Sequence, residues 1–206
     1  MFGDLLARIG ACLLRNNVPY MIIGGQALML YSEPRLTHDI DIMLGIDVRC
    51  LNLLLFIVNE LRLKVIPDDP KAFVKQTMVL PALEESTGLR VDFIISSTPY
   101  EKEAIDRAVR IRVMDQIVRF STPEDLIIHK VITGNHFDLD DVRKILSRSL
   151  ELNLSLIRRT LKNFDSALPG NRFLVIFEDE LKKSGQNTGP EQKKNSSWPL
   201  PPGADF

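Results

Sequence analysis

Two aspartates separated by one apolar residue, Asp39-Ile40-Asp41, are the first residues in this chain whose types and spacing suggest chemistry. The segment from Thr37 to Leu44 reads as a strand, with Ile40, Ile42 and Met43 interleaved. Side chains two apart on a strand share a face, so the two carboxylates project together and Ile40 and Ile42 point the other way. Carboxylates held side by side repel unless a proton or a cation lies between them. Mg²⁺ prefers one or two carboxylates together with phosphate oxygens, so a metal–phosphate seat answers that repulsion. A third carboxylate, Asp92, interrupts the apolar run Leu89-Arg90-Val91-Asp92-Phe93-Ile94-Ile95. A buried charge requires a partner or a metal. Arg90 and Arg35 are the alternatives to a metal for Asp92.

The elements that must hold these groups lie just upstream. Tyr20 to Ile23 is an apolar run suited to a buried strand, and Gly24-Gly25 breaks it. A helical pattern follows, with Ala27, Leu28, Leu30 and Tyr31 apolar, and Pro34 ends it because proline lacks the backbone donor. A Gly-Gly turn lets backbone approach a ligand closely, and a helix starting there turns free N–H groups toward an anion. Alone, Gly-Gly is an ordinary turn and Asp-x-Asp an ordinary exposed strand. In this order they make a unit with a phosphate cradle and a metal seat.

A Gly-Gly turn, a helix and then Asp-x-Asp on the next strand, with thirteen residues between Gly25 and Asp39, resembles the nucleotidyltransferase superfamily related to DNA polymerase β. Arg35 and Thr37 extend the motif to R-x-T-x-D-I-D, which is similar to the AbiEii-type branch, a branch that includes toxins of toxin–antitoxin pairs. The resemblance implies metal binding and catalysis by Asp39, Asp41 and Asp92, with nucleotide contacts from Gly24, Gly25, Arg35 and Thr37. It implies two Mg²⁺ ions, or Mn²⁺ in their place, and an NTP as substrate. The reaction would move an NMP to an acceptor hydroxyl on RNA such as tRNA, or on protein, and release pyrophosphate. A toxin role would bring an antitoxin protein as partner. The alternative is a nucleotidyltransferase fold without turnover, acting as a nucleotide-binding or protein-interaction module.

A second constellation is similar to the same branch: Lys130, then Asp138 and Asp141 in the pattern K-x₇-D-x-x-D. The resemblance places these three in the nucleotide-binding set, although Phe137 stands where a basic residue is usual. Local physics offers plainer roles. Acidic residues in a first helical turn favour the helix dipole, and a lysine can snorkel off an apolar face.

The rest of the chain sets the frame. Its 206 residues are 45% hydrophobic with a net charge of −1, enough for a sizeable core and without a global basic field. Phe2 to Arg15 is an amphipathic helix rather than a leader, no run is long enough to span a membrane, and the cytoplasm is the expected compartment. Cys12 and Cys50 read as buried free thiols. Helices are expected at Val48–Leu61, Pro99–Arg107 (charged and exposed), Pro123–Ile132, Asp138–Leu150, Leu154–Phe164 and Pro169–Lys182. Strands are expected at Leu63–Ile66, Met78–Leu83, Leu89–Ser96, Val109–Val113 and Ile117–Phe120. Pro81 marks the second of these as an edge or bulged strand. The reading is an α/β (α+β) fold: a nucleotidyltransferase-type mixed sheet flanked by helices over 1–120, a helical segment over 121–183, and a disordered tail over 184–206 carrying Trp198.

Overall fold

The fold is mixed α/β, built on one seven-stranded sheet. In the computed structural model, residues 2–33, 37, 39–148, 151–168 and 170–185 are described. The elements in chain order are α1 (Phe2–Arg15), β1 (Tyr20–Ile22), α2 (Gly24–Leu28), β2 (Asp39–Leu44), α3 (Leu51–Glu60), β3 (Lys64–Val65), α4 (Pro70–Thr77), β4 (Val79–Glu84), β5 (Leu89–Ile95), α5 (Pro99–Arg107), β6 (Val109–Val113), β7 (Gln116–Phe120), α6 (Pro123–Thr133), α7 (His136–Ser147), α8 (Leu154–Ala167) and α9 (Phe173–Lys183). The strand order is β3-β4-β5-β2-β1-β7-β6. The β2–β5 and β1–β7 pairs are parallel and the others antiparallel. The chain divides into two compact units. One holds the described parts of Met1–Ala27 and Arg35–Thr122, the other those of Leu28–Pro34 and Pro123–Ala204.

Both faces of the sheet in the first unit are covered, each by a recognisable sequence device. Leu5, Leu6, Ile9, Cys12 and Leu13 recur at helical spacing and are buried, so α1 has one apolar stripe. That stripe packs on the face carrying Tyr20 and Val118. Gly10 lies so close that a Cβ there would fall 2.8 Å from Tyr20 Oη and 3.1 Å from Val118 Cγ2. On the opposite face, Ala104 and Ile105 of α5 close over Met21, Ile23 and Met43, with Ile94, Tyr100 and Ala108 packed alongside. Helix α5 is charged and largely exposed, as expected, but it also contributes two residues to the core, Ala104 and Ile105. Its start is set by Thr98, which caps the helix and forms a capping box with Glu101.

Several local expectations shift for identifiable reasons. Helix α2 spans only five residues, because the chain turns at Leu28, where Tyr31 and Ser32 both donate backbone hydrogen bonds to the Leu28 carbonyl. Strand β4 is interior rather than an edge. Pro81 is tolerated there because its carbonyl accepts from Ile66 at the point where the two-residue β3 ends, so the missing N–H falls where the β3 ladder has stopped. An eight-residue helix, α4, which the sequence reading does not include, is capped by Asp69 with Pro70 in its first turn. Asp47 caps a 3₁₀ turn, Val48–Cys50, that leads into α3. Cys12 is buried, but Cys50 is only partly so.

The second unit is helical. Gly134, at φ 64, ends α6, and its N–H reaches the Lys130 carbonyl. Asn135 then caps α7 by accepting from the Asp138 N–H. The cores of α6 to α9 are apolar at helical spacing, with Ile127, Val142, Ile145, Ile157, Leu161 and Phe177 fully buried. Arg143 is ion-paired with Glu180, which fastens α7 to α9. Among the described residues no helix is long and apolar enough to cross a membrane. The expectations for Pro34, Arg35, Leu150, Pro169, Trp198 and the tail beyond Gly185 fall outside the described residues.

Candidate active site

Strands β2 and β5 bring the acidic residues together. They pair in parallel with Asp39 opposite Arg90 and Asp41 opposite Asp92. Directly paired residues share a sheet face, so these four side chains form a two-by-two patch with neighbouring strands about 4.8 Å apart. Like charges directly opposite one another destabilise a sheet, so Asp41 and Asp92 require a cation nearby. Within this patch, Arg90 meets that requirement. Its Nε donates to Asp92 Oδ1 at 2.8 Å, and the hydrogen bond to Asp92 holds the guanidinium pKa above its ordinary value; partial desolvation opposes this, and the charges of Asp92, Asp39 and Asp41 add to it. Asp92 is largely covered, with its side chain 17% exposed, whereas Arg90 is 53% exposed. Ion pairs with one partner this open contribute only about 0–1 kcal/mol.

The turn after β1 is pressed onto β2. The Ile23 N–H donates to the Asp41 carbonyl at 2.9 Å, which continues the β1–β2 pairing by one residue. Gly24 follows at φ 63, and a Cβ added there would fall 2.0 Å from Asp41 Oδ2. Both the left-handed backbone and the close approach therefore demand glycine at this position. A Cβ at Gly25 would meet Thr37 Cγ2 at 2.1 Å. Gln26, almost fully buried, donates from Nε2 to Thr37 Oγ1 at 2.8 Å, while its Oε1 is buried without a partner among the described residues. Gly24, Gly25, Thr37, Asp39, Asp41 and Asp92 thus belong to one assembly. Reading the sequence missed Gln26, although a polar residue among apolar ones directly after Gly-Gly was the available signal. It named Arg90 only as an alternative partner of Asp92.

The donor types here suit a hard divalent cation: all carboxylate oxygens, on one face, beside a turn with no Cβ to block approach. Among the described residues no three such side chains converge tightly enough to hold a metal. Arg90 stands among these carboxylates, hydrogen-bonded to Asp92 and opposite Asp39. The set fits a cation site whose present counter-ion is a side chain.

Lys130, Asp138 and Asp141 also come together, between α6 and α7. The Lys130 ammonium donates to Asp138 Oδ1 at 2.7 Å and to Asp141 Oδ2 at 2.8 Å. The Lys130 side chain is 5% exposed and that of Asp141 2%. This lysine does not snorkel to solvent; it is a doubly paired buried charge.

No curated protein matches the chain. Among solved structures it is similar to the antibiotic-resistance factor ANT(2'')-Ia in its solution structure. Identity there is 17% over 80% of this chain and 93% of that one, with a TM-score of 0.55. It is also similar to an antigenic nucleotidyltransferase-like protein from Paracoccidioides brasiliensis. Identity there is 15% over 87% of this chain and 91% of that one, with a TM-score of 0.52. At such identities these likenesses establish the fold. A family profile described as "Nucleotidyltransferase of unknown function (DUF6036)" matches residues 5–169, and the chain belongs to that nucleotidyltransferase family.

Proposed function

We propose that this nucleotidyltransferase moves an NMP from an NTP to an acceptor hydroxyl, with Asp39, Asp41 and Asp92 as the metal-holding carboxylates. The observation that carries this reading is the register that sets Asp41 opposite Asp92, with Gly24 packed against the Asp41 carboxylate. Asp39 and Asp41 would hold one Mg²⁺ and Asp92 would complete a second, with Mn²⁺ as a substitute. Divalent ions at such a site neutralise triphosphate charge and lower the pKa of an acceptor hydroxyl. The protein's own part is positioning, which dominates phosphoryl-type transfer. Gly24 and Gly25 expose backbone to the phosphates, and the Gln26–Thr37 hydrogen bond keeps that turn against β2. Arg35 enters by its motif position alone.

The AbiEii-type motif R-x-T-x-D-I-D supports RNA such as tRNA, or a protein, as acceptor. A toxin role, an antitoxin protein as partner and a cytoplasmic setting belong to the same proposal. Lys130, Asp138 and Asp141 belong to the motif, but the burial of Lys130 and Asp141 and their pairing support a part in ordering α6 and α7 more than direct contact with phosphate. One observation favours a second reading. The Arg90–Asp92 pair is what a nucleotidyltransferase fold that only binds would keep permanently.

Incubation of the full chain with each α-labelled NTP, Mg²⁺ and either total RNA or a protein extract separates the two readings. Label on an acceptor, lost in Asp41→Asn, is expected. Nucleotide binding without transfer in any arm would move the assignment to the binding module.

A further inference from the structure

Arg90 has a position in the acid patch that neither the family assignment nor the transfer reaction accounts for. It is directly opposite Asp39, bonded to Asp92, and its charge is felt by Asp41. Yet its side chain is half-exposed and, among the described residues, its one side-chain hydrogen bond is that 2.8 Å contact from Nε. A structural ion pair meant to last would be buried and held by several bonds, as Lys130 is. Arg90 can leave the patch by rotating a long, solvated side chain without disturbing β5.

We propose that Arg90 is a displaceable counter-ion that makes metal binding at Asp39, Asp41 and Asp92 depend on nucleotide. This inference rests on the metal-holding role proposed above for those carboxylates. A bare divalent ion must compete with the guanidinium for the same oxygens and gains nothing for evicting it. A metal–triphosphate complex adds phosphate oxygens to the metal's ligands. It also brings a new anion for the released guanidinium, so the eviction is compensated. The carboxylates meanwhile never face one another without a cation between them. Arg90 is on this account a positioning residue: it acts through the carboxylates and takes no part in bond making.

The test is a Mn²⁺ titration of the full chain followed by electron paramagnetic resonance, with and without a non-hydrolysable NTP analogue. The proteins are the parent, Arg90→Gln, Arg90→Lys and Asp41→Asn. Removing an exposed, singly bonded counter-ion should tighten Mn²⁺ binding without nucleotide by roughly fivefold. The gain in Mn²⁺ affinity on adding the analogue should shrink in Arg90→Gln. Arg90→Lys, which keeps the charge, should stay near the parent. If Arg90→Gln binds bare Mn²⁺ no more tightly than the parent, while Asp41→Asn loses Mn²⁺ in the presence of analogue, the counter-ion role is overturned and the metal site stands. If Asp41→Asn and the parent take up Mn²⁺ equally with analogue present, the metal reading fails, and this inference with it.

Discussion

Two clusters in this protein have nearly the same ingredients and opposite designs. On the β2–β5 face, Arg90, half in solvent, is hydrogen-bonded to Asp92 and stands opposite Asp39, with Asp41 beside them. Between α6 and α7, two carboxylates share the buried cation Lys130, with Lys144 3.9 Å from the far oxygen of Asp141. On the reading proposed above, the first is loosely compensated and its carboxylates can exchange one cation for another. The second is compensated twice over in a low-dielectric setting, where an unpaired charge is costly, so its members have little freedom to do anything else. Charge composition does not separate the two clusters; the exposure of the counter-ion does.

Breaking the first cluster should cost activity and breaking the second should cost stability. Asp41→Asn or Asp39→Asn should lower transfer by ~10⁴-fold, about 5 kcal/mol of transition-state stabilisation, with the melting temperature held or raised because repulsion on the sheet face is relieved. Label incorporation at saturating Mg²⁺ checks this, and full activity in either variant would remove the patch from the reaction.

Lys130→Met should destabilise the chain by about 3–5 kcal/mol, since it removes the nearest cation from the buried Asp141 and from the part-buried Asp138. Adding Asp138→Asn and Asp141→Asn should recover part of the loss. Urea unfolding measures both. A Lys130→Met protein as stable as its parent but with weakened NTP affinity would convert the strut into a phosphate contact.

Gly24→Ala probes the border of the first cluster. The left-handed backbone alone costs about 1–2 kcal/mol for an L side chain. The new Cβ must also push the Asp41 carboxylate away, from a starting separation of 2.0 Å. The expected result is a modest fall in stability and a much larger fall in transfer. Equal, small losses in both would show that the turn does not set the position of Asp41.

Asp140→Asn is the smallest change and the control for burial. Asp140 is in the same helix as Asp138 and Asp141 but pairs at the surface, with Lys144 at 2.8 Å and Arg143 at 3.3 Å. Its hydrogen bond from Lys144 holds its carboxyl below the ordinary range. A depressed folded-state pKa contributes stability that is complete above the unfolded value of about 3.9 and fades as pH falls through the folded one. The substitution should cost under about 1 kcal/mol at pH 7 and flatten the acid limb of the stability curve only slightly. A loss as large as that of Lys130→Met would refute burial as the distinguishing factor.

What could be read from the chain without its fold is what depends on neighbours in sequence. The apolar spacing of α1, the Thr98-Pro99 start of α5 and the common face of Asp39 and Asp41 follow from helix period, capping chemistry and strand period, which act over a few residues. The tertiary structure alone decided that β2 pairs with β5 and β1 with β7, and in what register. Hence Asp92 is opposite Asp41 and Arg90 opposite Asp39, and β4, despite Pro81, is an interior strand. It also ended α2 after five residues and turned Lys130 inward. Register and burial are set by contacts between segments far apart in the chain, where a one-residue slip would send every side chain to the other face. The residues at the site are therefore local information, whereas the cation that faces them, and whether it can leave, is a property of the assembled sheet.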